Sequence, residues 1–406
     1  MGIKTTASDP VYSVGLMTPE SVRRRYVRSI LVLCGLGLPV AALVVLIGEP
    51  YPYWERVMEL IRQYSAGRGW PAWLPSAVVL LAVSSVLLGF VQGLVIVVHW
   101  LERKVAAHMQ VRLGPMRTGG WHGWAQPIAD GIKLFMKEDI VPESADRWLH
   151  FLGPIVAFVP AYVCFIPIPF GRDIQVFDMD MGLLFVFAIS GLSVLGILMG
   201  GWASANKYSA LGGLRAAAQL VSYEIPRVIS IVPVVMWAGT VSLSGLMAVQ
   251  SARWGGIFPK WFIFYPVVGQ ISFVIYLISS VAETNRTPFD IPEAESELVS
   301  GFHTEYAGMK FAFFFLAEYS YVFLASALGA VLFLGGGDSL PYLEWIPSYA
   351  WFFAKTFFLV FLFLGIRWTY PRMRVDRLME FCWKFLFPWS LVNVFLAGLI
   401  FLWRWR

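Results

Sequence analysis

Apolar residues along this chain run in long blocks separated by shorter polar connections. A transmembrane helix requires roughly 20 consecutive, mainly apolar residues. Nine stretches meet that requirement or approach it: 29–48, 76–101, 148–169, 182–203, 222–244, 261–282, 307–335, 349–367 and 385–403. Several contain Gly or Pro, such as Pro226 and Pro233 in the fifth, which membrane helices tolerate when neighbours satisfy the freed backbone groups. The alternating pattern of a membrane β-barrel is absent. The expected fold is therefore all-α, a polytopic membrane protein of about nine transmembrane helices. The first stretch, preceded by Arg23, Arg24, Arg25 and Arg28, resembles a secretion signal. It has the length of a full span and no clear cleavage pattern before Glu49, so a retained helix is expected.

Composition agrees with the pattern. Of 406 residues, 58% are hydrophobic and only 14% charged, against about 25% charged in soluble domains. Aromatic residues reach 16%, as expected where Trp and Tyr line membrane interfaces. Disordered, coiled-coil, disulfide-scaffold and nucleic-acid-binding classes are excluded on these grounds. The net charge of +5 is distributed unevenly. With the N-terminus placed inside, inner connections carry 20 Lys and Arg and outer ones 8, the other three lying within or at the ends of spans. The positive-inside rule then puts the N-terminus in the cytoplasm and the C-terminus outside.

Three inner segments, 102–147, 204–221 and 283–306, are long and motif-like. The first opens with Glu102-Arg103-Lys104 and continues through Arg112, Gly114 and Pro115. Beyond it, Trp124, Ile128, Ile132 and Phe135 share one helical face, while Gln126, Asp130, Lys133 and Lys137 share the other. This predicts an amphipathic helix on the cytoplasmic side, too polar to span. It serves either as an anchor lying on the lipid surface or as the wall of a cavity at the membrane boundary.

The segment 283–306 carries the most chemistry. Glu283, Asp290, Glu293, Glu295, Glu297 and Glu305 face only Arg286 and His303 within 23 residues. A solvated acidic loop is the plain interpretation. Two features count against it. Phe289, Ile291, Leu298, Val299 and Phe302 interleave the charges, and Glu318 follows inside the next apolar stretch. Ionisable groups within a span are costly and mark function by default. Glu224 likewise enters the fifth stretch with Arg227 nearby, and a structural pair between them is the alternative. Closely spaced carboxylates titrate as a coupled set, which suits a proton relay or a charge sensor. Cys34, Cys164 and Cys382 are far apart, and the five histidines are equally scattered. No spacing among them builds a metal site or an iron–sulfur cluster, so no directly bound metal or redox cofactor is expected.

At these motifs the chain resembles the H-type membrane subunit of respiratory complex I, the proton-pumping NADH:quinone oxidoreductase. The run from Glu102-Arg103-Lys104 to Pro115, the stretch Tyr223-Glu224-Ile225-Pro226-Arg227, and Glu283 through Tyr306 with Gly308 carry the match. It covers roughly residues 76–403. Residues 1–75 depart from the family pattern as an N-terminal extension with one extra helix and an outer loop, ahead of a membrane domain at 76–406. The resemblance implies a subunit that is not catalytic alone and forms the quinone chamber of a translocase. FMN and iron–sulfur clusters reside in partner subunits, with quinone-site and terminal iron–sulfur subunits on the inner face and antiporter-like subunits alongside. It further implies that Glu102, Arg103, Arg112 and Arg286 line the chamber. Glu224, Glu283, Asp290, Glu293, Glu295, Glu297, Glu305 and Glu318 would form the acidic proton path. The alternatives are the coupling subunit of a membrane-bound hydrogenase-type complex and a stand-alone secondary transporter. The Thr284-Asn285-Arg286-Thr287 stretch resembles the quinone-using branch, and the internal repeat of a transporter is not evident.

Overall fold

Every backbone amide inside a bilayer must find its partner within the segment or in its neighbours, so apolar blocks of this length fold as helices. The computed structural model describes residues 73–404, apart from 173, 255–257, 294, 341–342 and 344, together with residue 59. The predicted helix at 29–48, and all of 1–75 except residues 59 and 73–75, lie outside the described residues. Within them the chain is all-helical apart from a two-residue ribbon pairing Arg253–Trp254 with Phe258–Pro259.

The helices, in chain order, are α1 (Trp73–Met109), α2 (Gln126–Met136), α3 (Arg147–Val163), α4 (Gly182–Ala203), α5 (Lys207–Ala238), α6 (Leu243–Gln250), α7 (Val268–Glu283), α8 (Glu295–Leu298), α9 (Gly308–Phe333), α10 (Ser348–Thr369), α11 (Val375–Glu380) and α12 (Phe387–Arg404). Among the described residues, six apolar helices are long enough to cross a membrane, α12 together with the continuous segment from Val375 counting as one of them. The apolar helices α3 and α7 are shorter. The chain is a polytopic membrane protein. Helix α9 is its centre: 83% of its most apolar window is buried, and it packs against α1, α3, α7 and α10.

Helices α3 and α4 approach closely because Gly153 meets Gly200 and Gly196 meets the Ala157 backbone, where a side chain would not fit. The side chain of Asp146 accepts from the amides of Trp148 and Leu149 and caps α3, and that of Asn206 accepts from the Tyr208 amide and caps α5. Each satisfies donors left open at a helix start. Gly239 ends α5 in the left-handed region at φ 70°, where glycine carries no penalty.

Several boundaries differ from the sequence expectation: α1 runs on to Met109 rather than 101, and α3 and α5 end at Val163 and Ala238 rather than 169 and 244. Most of the inner segment 204–221 is not a connection, because α5 starts at Lys207 and runs for 32 residues. The hydropathy window missed this polar first half, whose Ser209, Gly212, Gly213, Ala216 and Gln219 are buried against other protein groups. Helix α7 begins at Val268 rather than 261, after a short turn at Phe262–Phe264.

The predicted amphipathic helix is α2. Its Asp130 pairs with Arg103 of α1 at 2.5 Å, while Trp124, just before it, and Ile128, Ile132 and Phe135 are exposed. That outward apolar face is what a helix lying in the lipid interface presents.

Candidate functional site

The connection between α7 and α9 folds back onto the inner ends of α5 and α9 rather than extending into solvent. Phe289, Ile291, Leu298 and Phe302 are buried, as their interleaving with the charges predicted. Gln219 of α5 fastens the connection, its amide nitrogen donating to the carbonyls of Ala282 at 2.7 Å and Phe289 at 2.8 Å. Gly301, at φ 55°, lets the turn rest on Gly212 of α5.

This folding assembles a buried charge network from four separate parts of the chain. Arg286 is 7% exposed. Its guanidinium lies 3.5 Å from Glu102 of α1, 4.0 Å from Glu318 of α9, and 4.2 Å from the centre of the Tyr319 ring. Glu102 also pairs with Arg367 of α10. On its far side Glu318 faces His303 at 3.6 Å, and His303 meets Glu293 at 2.9 Å. Burial opposes charging of His303, but its contacts with Glu293 and Glu318 and their negative charges outweigh it and hold the imidazole up at about 9. Burial would raise Glu293, and the His303 contact outweighs it, leaving the carboxyl at about 2.

A second pair lies alongside. Arg227 of α5, 1% exposed, pairs with Glu283 at the end of α7. The sequence alternative of a Glu224–Arg227 pair is not the arrangement seen. Arg227 also packs against the rings of Phe187 at 5.0 Å and Tyr276 at 5.6 Å. Glu224 instead faces Gly191 of α4. It shares a cavity with Glu283 and Glu318, bounded by Leu220, Phe302, Phe314 and Tyr321. The cavity's volume is about 30 Å³, enough for two or three waters at roughly 10–15 Å³ each.

The remaining predicted residues sit around this centre. Glu305 accepts from the Asn206 side chain at 2.7 Å. Exposed Glu297 pairs with Arg215 at 2.7 Å. Asp290 is half-buried, and Glu295 opens the short helix α8. Arg103 is tied to α2, and Arg112 is exposed in the turn after α1. Of the four proposed chamber residues, the fold thus brings Glu102 and Arg286 together and leaves Arg103 and Arg112 at the rim. Sequence reasoning assigned no role to Arg367, which it counted only toward topology, nor to Arg215, Asn206 and Gln219. His303 was noted only as a counter-charge. Glu293, His303 and Glu318 have donor atoms that all lie within 4.8 Å of one another. The set joins a connection to a helix, so sequence spacing does not display it.

Residues 81–398 match the NADH dehydrogenase family. A chain from Anoxybacillus flavithermus, named as the H-type subunit of NADH-quinone oxidoreductase, is 48% identical over 330 residues, covering 81% of this chain and 96% of that relative. Relatives of the same name from Bacillus cytotoxicus and Geobacillus kaustophilus are 51% and 49% identical, each over 74% of this chain and 87% and 88% of their own. This chain belongs to the H-type family of complex I membrane subunits. The family match spans every helix of the buried network, from Glu102 of α1 to Arg367 of α10. This H-type chain is accordingly a membrane subunit of an NADH-quinone oxidoreductase. The part of the sequence before residue 81 lies ahead of the match.

Proposed function

We propose that this chain forms the membrane wall of the quinone-reduction chamber of complex I and the acidic path that couples reduction to proton translocation. One observation carries the proposal: Glu224, Glu283 and Glu318, from three different helices, converge on one cavity inside the helix bundle, next to the Glu102–Arg286–Glu318–His303–Glu293 network. Burying this many ionisable groups costs several kcal/mol each unless paired. A bundle whose only task was stability would fill the space with apolar side chains. Two-electron reduction of a quinone to a quinol takes up two protons, and its intermediates add negative charge beside the pocket. A carboxylate set held in balance by Arg286, Arg227 and His303 answers that charge by moving protons or exchanging partners. The relatives' name supports NADH as donor and quinone as acceptor. Electrons then arrive through FMN and iron–sulfur clusters of partner subunits docked on the inner face, and antiporter-like subunits lie alongside in the membrane. The N-terminus is cytoplasmic in this arrangement.

The test is Glu283→Gln and Glu297→Gln in the assembled complex, assayed in proteoliposomes for quinone reductase rate and proton pumping. Glu283→Gln, which strips Arg227 of its partner inside the bundle, is expected to lower coupled turnover at least severalfold. Glu297→Gln, at the exposed rim, is expected to have a smaller effect. Unchanged turnover and pumping in both variants would remove these residues from the path.

A further inference from the structure

We infer that Glu293, His303 and Glu318 form a binding site for a divalent transition-metal ion of the zinc class. Their three donor atoms lie within 4.8 Å of one another. The imidazole Nε2 is 2.9 Å from Glu293 Oε1 and 3.6 Å from Glu318 Oε1. Ligands held at about 2.0–2.2 Å in a tetrahedron stand roughly 3.4 Å apart, so small side-chain adjustments close the set around an ion. An independent feature points the same way. Glu318 is only 9% exposed, and the oxygen it aims at His303 has no hydrogen-bond partner. A buried acceptor left in that state costs free energy that a ligand recovers. Arg286 approaches the other oxygen of Glu318, at 4.0 Å, so the oxygen facing His303 meets the imidazole, 3.6 Å away and beyond hydrogen-bond length, and not Arg286.

The donor chemistry selects the ion. One imidazole, which gives up its Nε2 proton to solvent as the ion binds, together with two carboxylates suits zinc or a similar borderline cation, whereas calcium and magnesium call for more oxygen donors. Glu318 sits on the rigid helix α9, and His303 on a turn closed by its backbone amide donating a hydrogen bond to the Ser300 carbonyl at 3.2 Å. The Glu293 side chain is 31% exposed, which gives the ion a way in and leaves a fourth position for water. An ion held here occupies the acidic network and stops its carboxylates from exchanging partners. That consequence rests on the proposed function, whereas binding itself does not.

The experiment uses the intact, chelator-washed complex and zinc sulfate. Zinc retained after desalting is counted by elemental mass spectrometry, its ligands are identified by zinc K-edge absorption, and the quinone reductase rate is followed over the same titration. The expected result is one zinc per complex with a histidine and oxygen ligands, absent in His303→Gln and Glu293→Gln. The inhibitory zinc concentration in each variant, relative to its own metal-free rate, is expected to rise at least tenfold. Should His303→Gln fail to assemble, Glu293→Gln, altered at a partly exposed side chain, carries the same comparison. Equal zinc retention in wild type and variants overturns the site. Zinc lost from the variants with no effect on the wild-type rate upholds the site and removes this cluster from the path.

Discussion

Glu102→Gln probes the joint on which the charge network turns. Glu102 is 6% exposed and holds two guanidinium groups, Arg286 at 3.5 Å and Arg367 in a closer pair. With an effective dielectric constant of about 20, two unit charges at the Arg286 distance attract by about 5 kcal/mol. Desolvation already offsets part of this, and glutamine keeps an acceptor oxygen. The expected net loss is therefore about 3 kcal/mol, the lower end of what removing one partner of a buried pair costs. The loss falls on the connection that Arg286 anchors. There the Phe289 amide donates to the Arg286 carbonyl at 2.8 Å and the Ile291 amide to the Phe289 carbonyl at 3.0 Å. A weakening of about 3 kcal/mol raises exchange at such amides about a hundredfold, since about 1.4 kcal/mol is a factor of ten. Hydrogen exchange with mass spectrometry on the purified complex, following peptides across 284–293 with a peptide from α4 as control, measures it directly. A rise of less than threefold across 284–293 refutes the reasoning. So does strict additivity of Glu102→Gln with Arg286→Met, because residues in one ion-pair network must couple.

Other outcomes follow from the same geometry. Arg227→Met leaves Glu283 buried without its partner, at an expected cost of about 3–5 kcal/mol. Thermal unfolding of the complex should show a lowered midpoint that is partly restored in Arg227→Met with Glu283→Gln. Gly196→Ala places a methyl against the Ala157 backbone and should destabilise the α3–α4 pair by about 1–3 kcal/mol, read as faster exchange in both helices and not in α10. In the metal-free complex His303 is held up at about 9, with burial opposed by Glu293 and Glu318. Its contribution to anchoring the 301–306 turn is full below the ordinary imidazole range near 6.5 and is lost as pH rises through about 9. Exchange at Thr304 and Tyr306, corrected for intrinsic rates, should accelerate across that window and stay flat in it for His303→Gln.

What the sequence determined by itself was the class of solvent and the list of candidate chemistry. Hydropathy marks membrane helices because a lipid environment acts on each block independently of its neighbours. For that reason α4, α9 and α10 lie within two residues of their predicted bounds, and α2 was visible from its two faces. The acidic connection was legible for a similar reason: charges interleaved with Phe289, Ile291 and Phe302 have no purpose in a solvated loop. Tertiary structure decided which charge meets which. Arg227 reaches Glu283 rather than its own neighbour Glu224, Glu102 is shared by arginines far along the chain, and His303 bridges a connection and a helix. The polar first half of α5 became helix for the same reason, because its small and polar residues are satisfied by other protein groups. Burial and pairing depend on where distant segments pack, and local periodicity carries no record of that.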